Sequence, residues 1–257
     1  MAPDDLVAAL RAAGCVYAED EARLLSSAAP DEDTLAAMLE RRVAGEPLEQ
    51  VVGFAEFCGL RVAVAPGVFV PRLRSSALVR HAAAGLRPGA VVVDLCCGTG
   101  AVGAALAAAV PGLEVHGADL DPAAVACARR NLPPDRVHEG DLYDALPPRL
   151  RGRLAAVVAN APYVPTAAIA TMPPEARDHE HRVALDGGGD GLDVQRRVVA
   201  GAPEWLTPGG RLLVETSVAQ ASGTVALMAA AGLVAEVTRD DDVDGTVATG
   251  RRPTLHP

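Results

Sequence analysis

Short apolar runs alternate with helical stretches over the last two thirds of the chain. Strand-like runs occupy 90–95, 113–120, 154–160 and 210–216, with a shorter one at 136–141 and two closing runs at 234–239 and 246–250. Segments of helical periodicity separate them at 100–110, 122–132 and 192–206. Buried strands that alternate with helices of roughly ten residues predict βαβ units, and therefore a parallel sheet covered on both faces.

The first 45 residues show a helical period and no strand pattern. Leu6 and Leu10 are spaced for one helix face, and a later apolar stripe consists of Leu35, Met38, Leu39 and Val43. The acids from Asp31 to Asp33 precede this stripe, as expected at a helix start. The pattern predicts a small helical region.

Residues 47–76 follow a third pattern. Apolar and polar residues alternate on both sides of Cys58-Gly59, which is typical of a β-hairpin, and Pro66-Gly67 marks its exit. We interpret this segment as a hairpin that links two domains. The predicted organisation is a helical N-terminal domain (1–50), a β-hairpin linker (51–75) and a larger α/β domain (76–257).

Composition limits the classes of function. Half of the 257 residues are apolar (50%), enough for a sizeable core, and the formal net charge is −10. Such a surface repels phosphate backbones, which argues against nucleic acid as a direct substrate. No apolar run reaches the ~18 residues of a membrane span, and the N-terminal segment carries two acids where a secretory signal carries bases. We therefore expect a cytoplasmic protein with no membrane partner.

The cysteine and histidine spacings do not indicate a metal site. Five cysteines without a CxxC pair argue against a disulfide framework and against zinc. His179 and His181 flank Glu180, but no third strong ligand group is nearby in the sequence. We interpret 177–182 as a polar surface loop and predict no metal.

The first chemical motif is the turn that follows the strand at 90–95. Gly98, Gly100 and Gly103 form GxGxxG between this strand and a helix, where glycine lets a ligand approach the backbone. The motif alone fits a dinucleotide or S-adenosyl-L-methionine. The candidate cofactor-binding residues of this loop are Asp94, Cys96, Cys97, Gly98, Thr99 and Gly100.

Two acids follow the next two strands. Asp119 ends the second strand, where a carboxylate can accept hydrogen bonds from both ribose hydroxyls of an adenosine ligand. Asp141 follows the third strand, placed for an adenine amino group, with Leu142 as an apolar wall for the ring. Since the carboxyl ends of parallel strands share one edge, we expect the glycine loop and both acids to form one adenosine site.

The second motif is NAPY at the end of the fourth strand, made of Asn160, Ala161, Pro162 and Tyr163. It resembles the NPPY signature of the protein-glutamine methyltransferases that modify bacterial peptide-chain release factors. The resemblance covers nearly the whole chain. Its other parts are the hairpin at 56–72, the cofactor loop at 94–103, the strand and helix at 117–131, and the last strand at 245–252.

This resemblance implies a fold, a cofactor and an activity. The fold is α/β: a seven-stranded class I S-adenosylmethionine-dependent methyltransferase (Rossmann-like) domain, with a small N-terminal helical domain for substrate recognition and a linking β-hairpin. The cofactor is S-adenosyl-L-methionine. The implied reaction is methyl transfer to the side-chain amide nitrogen of a glutamine in a protein partner, a release factor or a ribosomal protein.

The resemblance also gives NAPY a catalytic role. Asn160 offers its side-chain oxygen and Ala161 its backbone carbonyl to the two N–H groups of the acceptor amide, while Pro162 and Tyr163 complete the motif and Tyr163 packs against the amide plane. Asn160 also contacts the cofactor. Transfer from a cationic donor needs no metal, so orientation of the acceptor is expected to dominate.

The chain departs from the family pattern at three places. Ala161 replaces a proline, residues 73–76 (LRSS) stand where the family has a proline followed by acids, and Glu180-His181 where it usually has glutamate and proline. These departures leave the acceptor open. The alternatives are an amino methyltransferase of DNA or RNA bases, which holds a flipped base with a similar motif, a small-molecule methyltransferase, and a cofactor-binding homologue without catalysis.

Overall fold

The computed structural model describes residues 3–254. Nine strands form a two-stranded hairpin and a seven-stranded sheet with the order β5-β4-β3-β6-β7-β9-β8. The strands are β1 (Phe54–Phe57), β2 (Leu60–Ala63), β3 (Val91–Leu95), β4 (Glu114–Asp119), β5 (Val137–Glu139), β6 (Leu154–Ala159), β7 (Leu206–Glu215), β8 (Val234–Asp240) and β9 (Gly245–Arg251).

Helices cover the sheet and form the N-terminal region. They are α1 (Pro3–Ala12), α2 (Ala18–Ala28), α3 (Glu32–Val43), α4 (Leu48–Val52), α5 (Ser76–Ala83), α6 (Ala101–Ala109), α7 (Pro122–Ala128), α8 (Pro174–His179), α9 (Asp193–Trp205) and α10 (Ala221–Ala230). Every strand predicted from the apolar runs is present, with ends that differ by a few residues. The fold class expected from the sequence is confirmed.

The strand order creates a crevice at the middle of the sheet. From β3 the chain runs outward through β4 and β5, then returns to pair β6 with the other side of β3, and all of these pairs are parallel. Strand β9 runs antiparallel to β7 and β8. In open α/β sheets ligands bind where the strand order reverses, beyond the carboxyl ends of the strands. Here that point lies between β3 and β6.

Alternation along β3 explains why both faces of the sheet are buried. Val91, Val93 and Leu95 belong to one core with residues of α9, whereas Val92 belongs to the opposite core with residues of α5 and α6. Because successive side chains of a strand point to opposite faces, a fully apolar strand requires cover on both sides. This confirms the two-sided cover predicted from the apolar runs.

The N-terminal helices have a core of their own. Leu6 and Leu10 are fully buried in it, and α3 starts where predicted, with the Asp31 carboxylate accepting the backbone N–H of Thr34 at 2.7 Å. The assignment of Val43 to the apolar stripe is wrong, because its side chain is 46% exposed. The buried position in the last turn of α3 belongs to Arg42, whose charge is paired with acids.

The predicted hairpin turns at the expected dipeptide. Phe57 pairs with Leu60, and the two residues between them, Cys58 and Gly59, have φ values of 50° and 76°. Two consecutive positive φ angles are characteristic of the tight turn that matches strand twist. The domain boundaries at 50 and 75 stay predictions. Within residues 3–254, every helix is too short or too polar to serve as a transmembrane segment.

Candidate active site

One pocket lies at the carboxyl ends of β3, β4, β5 and β6. All but one of the predicted site residues line it, and the exception is Gly100, the N-cap residue that precedes α6. The residues from β3 to β5 form what we call the cofactor half. The acceptor half contains the NAPY motif after β6, residues 69–75 and a cover formed by residues 164–185, the roof segment.

Backbone geometry fixes the glycine loop. Gly98 (φ 55°) donates its N–H to Asp119 Oδ2 at 2.8 Å, which ties the end of β3 to the end of β4. Gly100 has φ 75°, and a Cβ there would lie 3.1 Å from a Leu132 methyl group. Cys96 adopts φ 55°, which is uncommon for a residue with a side chain. The loop is therefore held open by hydrogen bonds and strained backbone.

Asp94 lies beneath this loop. Its buried carboxylate accepts the N–H of Gly103 from α6 at 2.9 Å, and a Cβ on Gly103 would sit 3.3 Å from the same oxygen. Burial raises the pKa of Asp94 to about 8, the Gly103 N–H opposes this, and the charge of Asp119 adds to it. Gly103, the third glycine of GxGxxG, thus allows α6 to pack closely against Asp94.

Asp119 organises the end of β4. Its Oδ2 accepts the Gly98 N–H, and its Oδ1 accepts the Asp121 N–H at 2.9 Å. Burial raises its pKa, while these backbone donors lower it. A carboxylate has about four lone-pair sites, so two oxygens that each accept one N–H still accept ligand hydroxyls. The geometry is compatible with the predicted contact to ribose.

Asp141 and Leu142 form the far wall of the cofactor half. Asp141 pairs with Arg197 of α9 at 2.6 Å, on the exposed rim of the pocket. Leu142 has φ 49° and packs against the core that contains Leu95. Both residues line the pocket, and their predicted contacts with an adenine ring stay predictions.

The two adjacent cysteines of the loop, Cys96 and Cys97, are not reactive thiols. Burial, together with the charges of Asp119 and Asp94, raises the pKa of Cys96 and Cys97 well above the usual range. All five cysteines of the chain are free. The two thiols therefore act as small apolar walls of the cofactor half.

The NAPY motif begins the acceptor half. Asn160 donates its side-chain N–H to Ser75 Oγ at 3.3 Å, which leaves Oδ1 without a side-chain partner in this contact. Ala161 is fully buried in the core, with Pro162 beside it. Both residues are buried directly after the end of β6.

A charged cluster lies behind Tyr163. Its hydroxyl donates to Glu215 Oε1 at 3.4 Å, and the same oxygen accepts the Arg74 Nε–H at 3.2 Å. Burial and the neighbouring Glu215 charge raise the pKa of Tyr163 to about 12, so the phenol stays protonated. The Arg74 guanidinium carbon lies 5.8 Å from the centre of the Tyr163 ring. Glu215 ends β7, next to the end of β6, and so connects Tyr163 with Arg74.

The roof segment is fixed by Glu180, whose burial contradicts the interpretation of 177–182 as a polar surface loop, although Arg177, Asp178, His181 and Arg182 are exposed as predicted. Residues up to His179 belong to α8, and the Glu180 carboxylate is buried, accepting the Val70 N–H at 3.1 Å and Arg72 Nη2 at 2.6 Å. Burial raises the pKa of Glu180 while Arg72 lowers it. Among residues 3–254 there is no group of three side chains suited to a metal ion.

Further contacts tie the roof segment to both ends of the pocket. His181 Nδ1 lies 2.5 Å from Asp121 Oδ2 beside the cofactor half, and its backbone N–H donates to Gly67 O. At the other end, Arg42 of α3 pairs with Glu175 of α8 at 2.7 Å. The roof segment is therefore anchored to the N-terminal helices as well as to the sheet.

Sequence reasoning missed the residues that complete the acceptor half. These residues, which NAPY alone does not indicate, are Arg72, Arg74, Ser75, Glu180 and Glu215; in the cofactor half, sequence reasoning also missed Arg197. Arg74 and Ser75 lie in the LRSS stretch. The sequence shows that this stretch departs from the family pattern, but it does not show that the stretch lies beside NAPY. Glu215 could have been predicted, because it is an acid at the end of an apolar strand, the same pattern that identified Asp119.

Comparisons with known proteins agree with this geometry. A family model described as the methyltransferase small domain matches residues 59–176. A release factor glutamine methyltransferase of Geobacter sulfurreducens is 38% identical over 208 residues, which are 79% of this chain and 72% of that protein. A 4-amino-L-phenylalanine/4-methylamino-L-phenylalanine methyltransferase of Streptomyces pristinaespiralis is 38% identical over 229 residues, 85% and 78% of the two chains.

A solved structure supports the fold. The T. thermophilus 16S rRNA N2 G1207 methyltransferase, in complex with AdoMet and guanosine, has a TM-score of 0.56 and 21% identity, with coverage of 77% of this chain and 49% of that one. The sheet order and the glycine loop thus define a class I S-adenosylmethionine-dependent methyltransferase. By its identity to curated relatives, the chain belongs to the release factor glutamine methyltransferase family.

Proposed function

We propose that this enzyme transfers the methyl group of S-adenosyl-L-methionine to the side-chain amide nitrogen of a glutamine in a protein, with a peptide-chain release factor as the partner. The observation that carries the proposal is the position of Asn160 and Tyr163 in the same pocket as the acids of the cofactor half. Several relatives at 34–42% identity are release factor glutamine methyltransferases, which supports this acceptor.

The cofactor half suits an adenosine ligand with a cationic sulfonium. In this proposal Asp119 accepts the ribose hydroxyls, Asp141 the adenine amino group, and Leu142 packs on the ring. The loop from Asp94 to Gly100 supplies close backbone approach, with Cys96, Cys97 and Thr99 as its small walls. When bound, the cofactor supplies an electrophilic methyl group. Asp119, Asp121 and Asp141 line this half beside Asp94, which burial keeps protonated at neutral pH, and the three other acids suit a positively charged ligand.

The acceptor half has to overcome the low nucleophilicity of an amide. The nitrogen lone pair is delocalised into the carbonyl, so rate depends on holding the nitrogen in line with the methyl group. Asn160 Oδ1 and the Ala161 carbonyl accept its two N–H bonds in our proposal, and the neutral Tyr163 ring packs on the amide plane. Ser75 orients Asn160 by accepting its N–H at 3.3 Å.

A second acceptor class is an aromatic amine of a free amino acid. The relative from Streptomyces pristinaespiralis is named for such a substrate, and Phe69 and Met172 give the acceptor half apolar walls that fit a ring. Like an amide, an aromatic amine has a delocalised lone pair and two N–H bonds. Asn160 and Ala161 would hold it in the same way.

The test is methyl transfer from isotopically labelled S-adenosyl-L-methionine by the purified full-length protein. Acceptors are release factors, ribosomal proteins, nucleic acid and free 4-aminophenylalanine, with mass spectrometry to locate the label. We expect a single labelled glutamine in a release factor. Label confined to nucleic acid or to the free amino acid, with no protein glutamine modified, contradicts the proposal.

A further inference from the structure

Glu215 is a buried acid whose side-chain partners belong to the acceptor half. It ends β7, its side chain is 2% exposed, and it does not line the pocket itself. Within residues 3–254 its side-chain hydrogen bonds go to Tyr163 and Arg74, which both line the acceptor half. Burial of a carboxylate costs free energy that an apolar side chain would avoid. The presence of this acid is therefore explained by the two side chains that it holds.

One carboxylate oxygen makes both of these contacts. Oε1 of Glu215 accepts the Tyr163 hydroxyl at 3.4 Å and the Arg74 Nε–H at 3.2 Å, whereas Oε2 is buried with no hydrogen-bond partner within residues 3–254. Arg74 compensates the buried charge, and the protonated phenol of Tyr163 supplies a donor. The contact that reaches from Glu215 to the acceptor half is thus the one with Tyr163.

The main chain of Tyr163 is held independently of Glu215. The side-chain amide of Gln220 donates to the Tyr163 carbonyl at 2.9 Å and to the Asp190 carbonyl at 3.1 Å. Gly191 approaches so closely that a Cβ there would collide with the same Tyr163 oxygen. These contacts fix the backbone but leave the ring free to turn about its side-chain bonds. The hydroxyl contact with Glu215 therefore selects the orientation of the ring.

We propose that Glu215 is a positioning residue that acts through Tyr163, holding its hydroxyl so that the ring presents one fixed face to the acceptor. This inference rests on the proposed function, in which the acceptor amide packs on that ring. Methyl transfer requires the acceptor nitrogen to lie in line with the methyl group, so a ring that turns lowers the fraction of aligned complexes. Glu215 itself does not touch the acceptor.

Three substitutions separate the hydrogen bond from the charge. Glu215→Gln keeps an oxygen for Tyr163 and Arg74 and places its amide nitrogen where Oε2 has no partner. Glu215→Leu removes both hydrogen bonds at a similar volume, and the Arg74 side chain, 46% exposed, remains open to solvation by water. Tyr163→Phe removes the donated hydroxyl and leaves the pair of Arg74 with Glu215 intact. The matched control is Glu236→Gln, which neutralises an exposed glutamate on β8.

The experiment is a double-mutant cycle with the wild type, the two single variants Glu215→Leu and Tyr163→Phe, and the variant that carries both changes. We measure kcat and acceptor KM with labelled S-adenosyl-L-methionine for two acceptors, a purified release factor and free 4-aminophenylalanine. Calorimetry gives the cofactor Kd, and thermal unfolding gives the Tm. Glu215→Gln and Glu236→Gln are measured in the same way.

We expect Glu215→Leu and Tyr163→Phe each to lower kcat by about 10-fold to 100-fold, as for loss of a hydrogen bond to a charged group. The double variant should be no slower than the slower single variant, because the two residues act as a unit. Glu215→Gln should recover most of the activity, and Glu236→Gln should match the wild type. Cofactor Kd should stay the same throughout, and the KM for the release factor should change little, since such an interface extends beyond one amide.

A purely structural role predicts a different pattern. In that case Glu215→Leu lowers kcat by the same factor whether or not Tyr163→Phe is present, and the cofactor affinity falls with it. Such independence overturns the inference, and so does full kcat in Glu215→Leu. A Glu215→Gln enzyme as slow as Glu215→Leu also overturns it, because the charge and not the hydrogen bond would then matter.

The two acceptors separate this inference from the proposed function. Label on a release factor glutamine, with independent effects of the two substitutions, supports the amide acceptor and rejects the role of Glu215. Label confined to 4-aminophenylalanine, with coupled effects, rejects the glutamine acceptor and supports the action of Glu215 through Tyr163 on another planar group. A protein that binds the cofactor and methylates neither acceptor contradicts both.

Discussion

The two halves of the pocket are built in different ways. In the cofactor half, each residue follows its own strand, and contacts such as Gly98 to Asp119 join neighbouring strand ends. In the acceptor half, Arg74 bonds Glu215 across 141 positions of the chain and Arg72 bonds Glu180 across 108. The first half is built mainly from neighbouring strand ends, with added contacts from α6 to Asp94 and from α9 to Asp141, whereas the second depends on how separate parts of the chain come together around the sheet.

The largest expected effect comes from Asn160→Ala, which tests whether the halves have separate tasks. Loss of a preorganised hydrogen-bonding partner for the acceptor should lower kcat by about 100-fold to 1000-fold. Cofactor Kd should change little, because the acids of β3 to β5 remain. Asn160→Asp is the matched control, since it keeps the acceptor oxygen, and it should retain more activity. Full turnover in the alanine variant would show that NAPY does not hold the acceptor.

Asp119→Ala is the converse experiment. It removes the predicted ribose acceptor and also the carboxylate that orders the Gly98 and Asp121 amides. Cofactor Kd, measured by calorimetry, should rise about 10-fold to 100-fold, as for loss of hydrogen bonds to a charged group. The exposed acid Asp135, changed to alanine, controls for net charge. Unchanged affinity in Asp119→Ala would contradict the assignment of the cofactor half.

The smallest expected effect concerns Asp94 of the cofactor half and the pH dependence of the free energy of unfolding. The pKa of Asp94 is raised to about 8, so between the unfolded value near 4 and about 8 the native state retains a proton that the unfolded chain has released. In that window the group lowers the free energy of unfolding by about 1.4 kcal/mol per pH unit as pH rises.

Asp94→Asn removes this dependence while it keeps an oxygen for the Gly103 N–H. Chemical denaturation between pH 6 and pH 8, without cofactor, should show a more favourable pH slope for the variant than for the wild type. Asp135→Asn should leave the slope unchanged. Parallel slopes for wild type and Asp94→Asn would mean that Asp94 is ionised in the folded protein throughout this range.

The same contrast explains what the sequence could predict. Periodicity and glycine spacing locate β3, its loop and Asp119, because backbone rules act over a few residues. Burial of Glu180 depends on Arg72 and Val70, which no local pattern connects with it, so a histidine-rich stretch was interpreted as solvated. Val43 continued an apolar stripe, but Arg42 occupies the buried position there because two acids satisfy its charge.

The contacts between the roof segment and the N-terminal helices bear on how this enzyme can be recombined. Arg42 of α3 pairs with Glu175, and Gln50 donates to the carbonyl of His179 at 3.1 Å. A chimaera that exchanges the first 50 residues with those of a homologue would therefore break bonds that hold α8 over the acceptor half. Exchange of the N-terminal helices between such enzymes should include α8 as part of the transplanted unit.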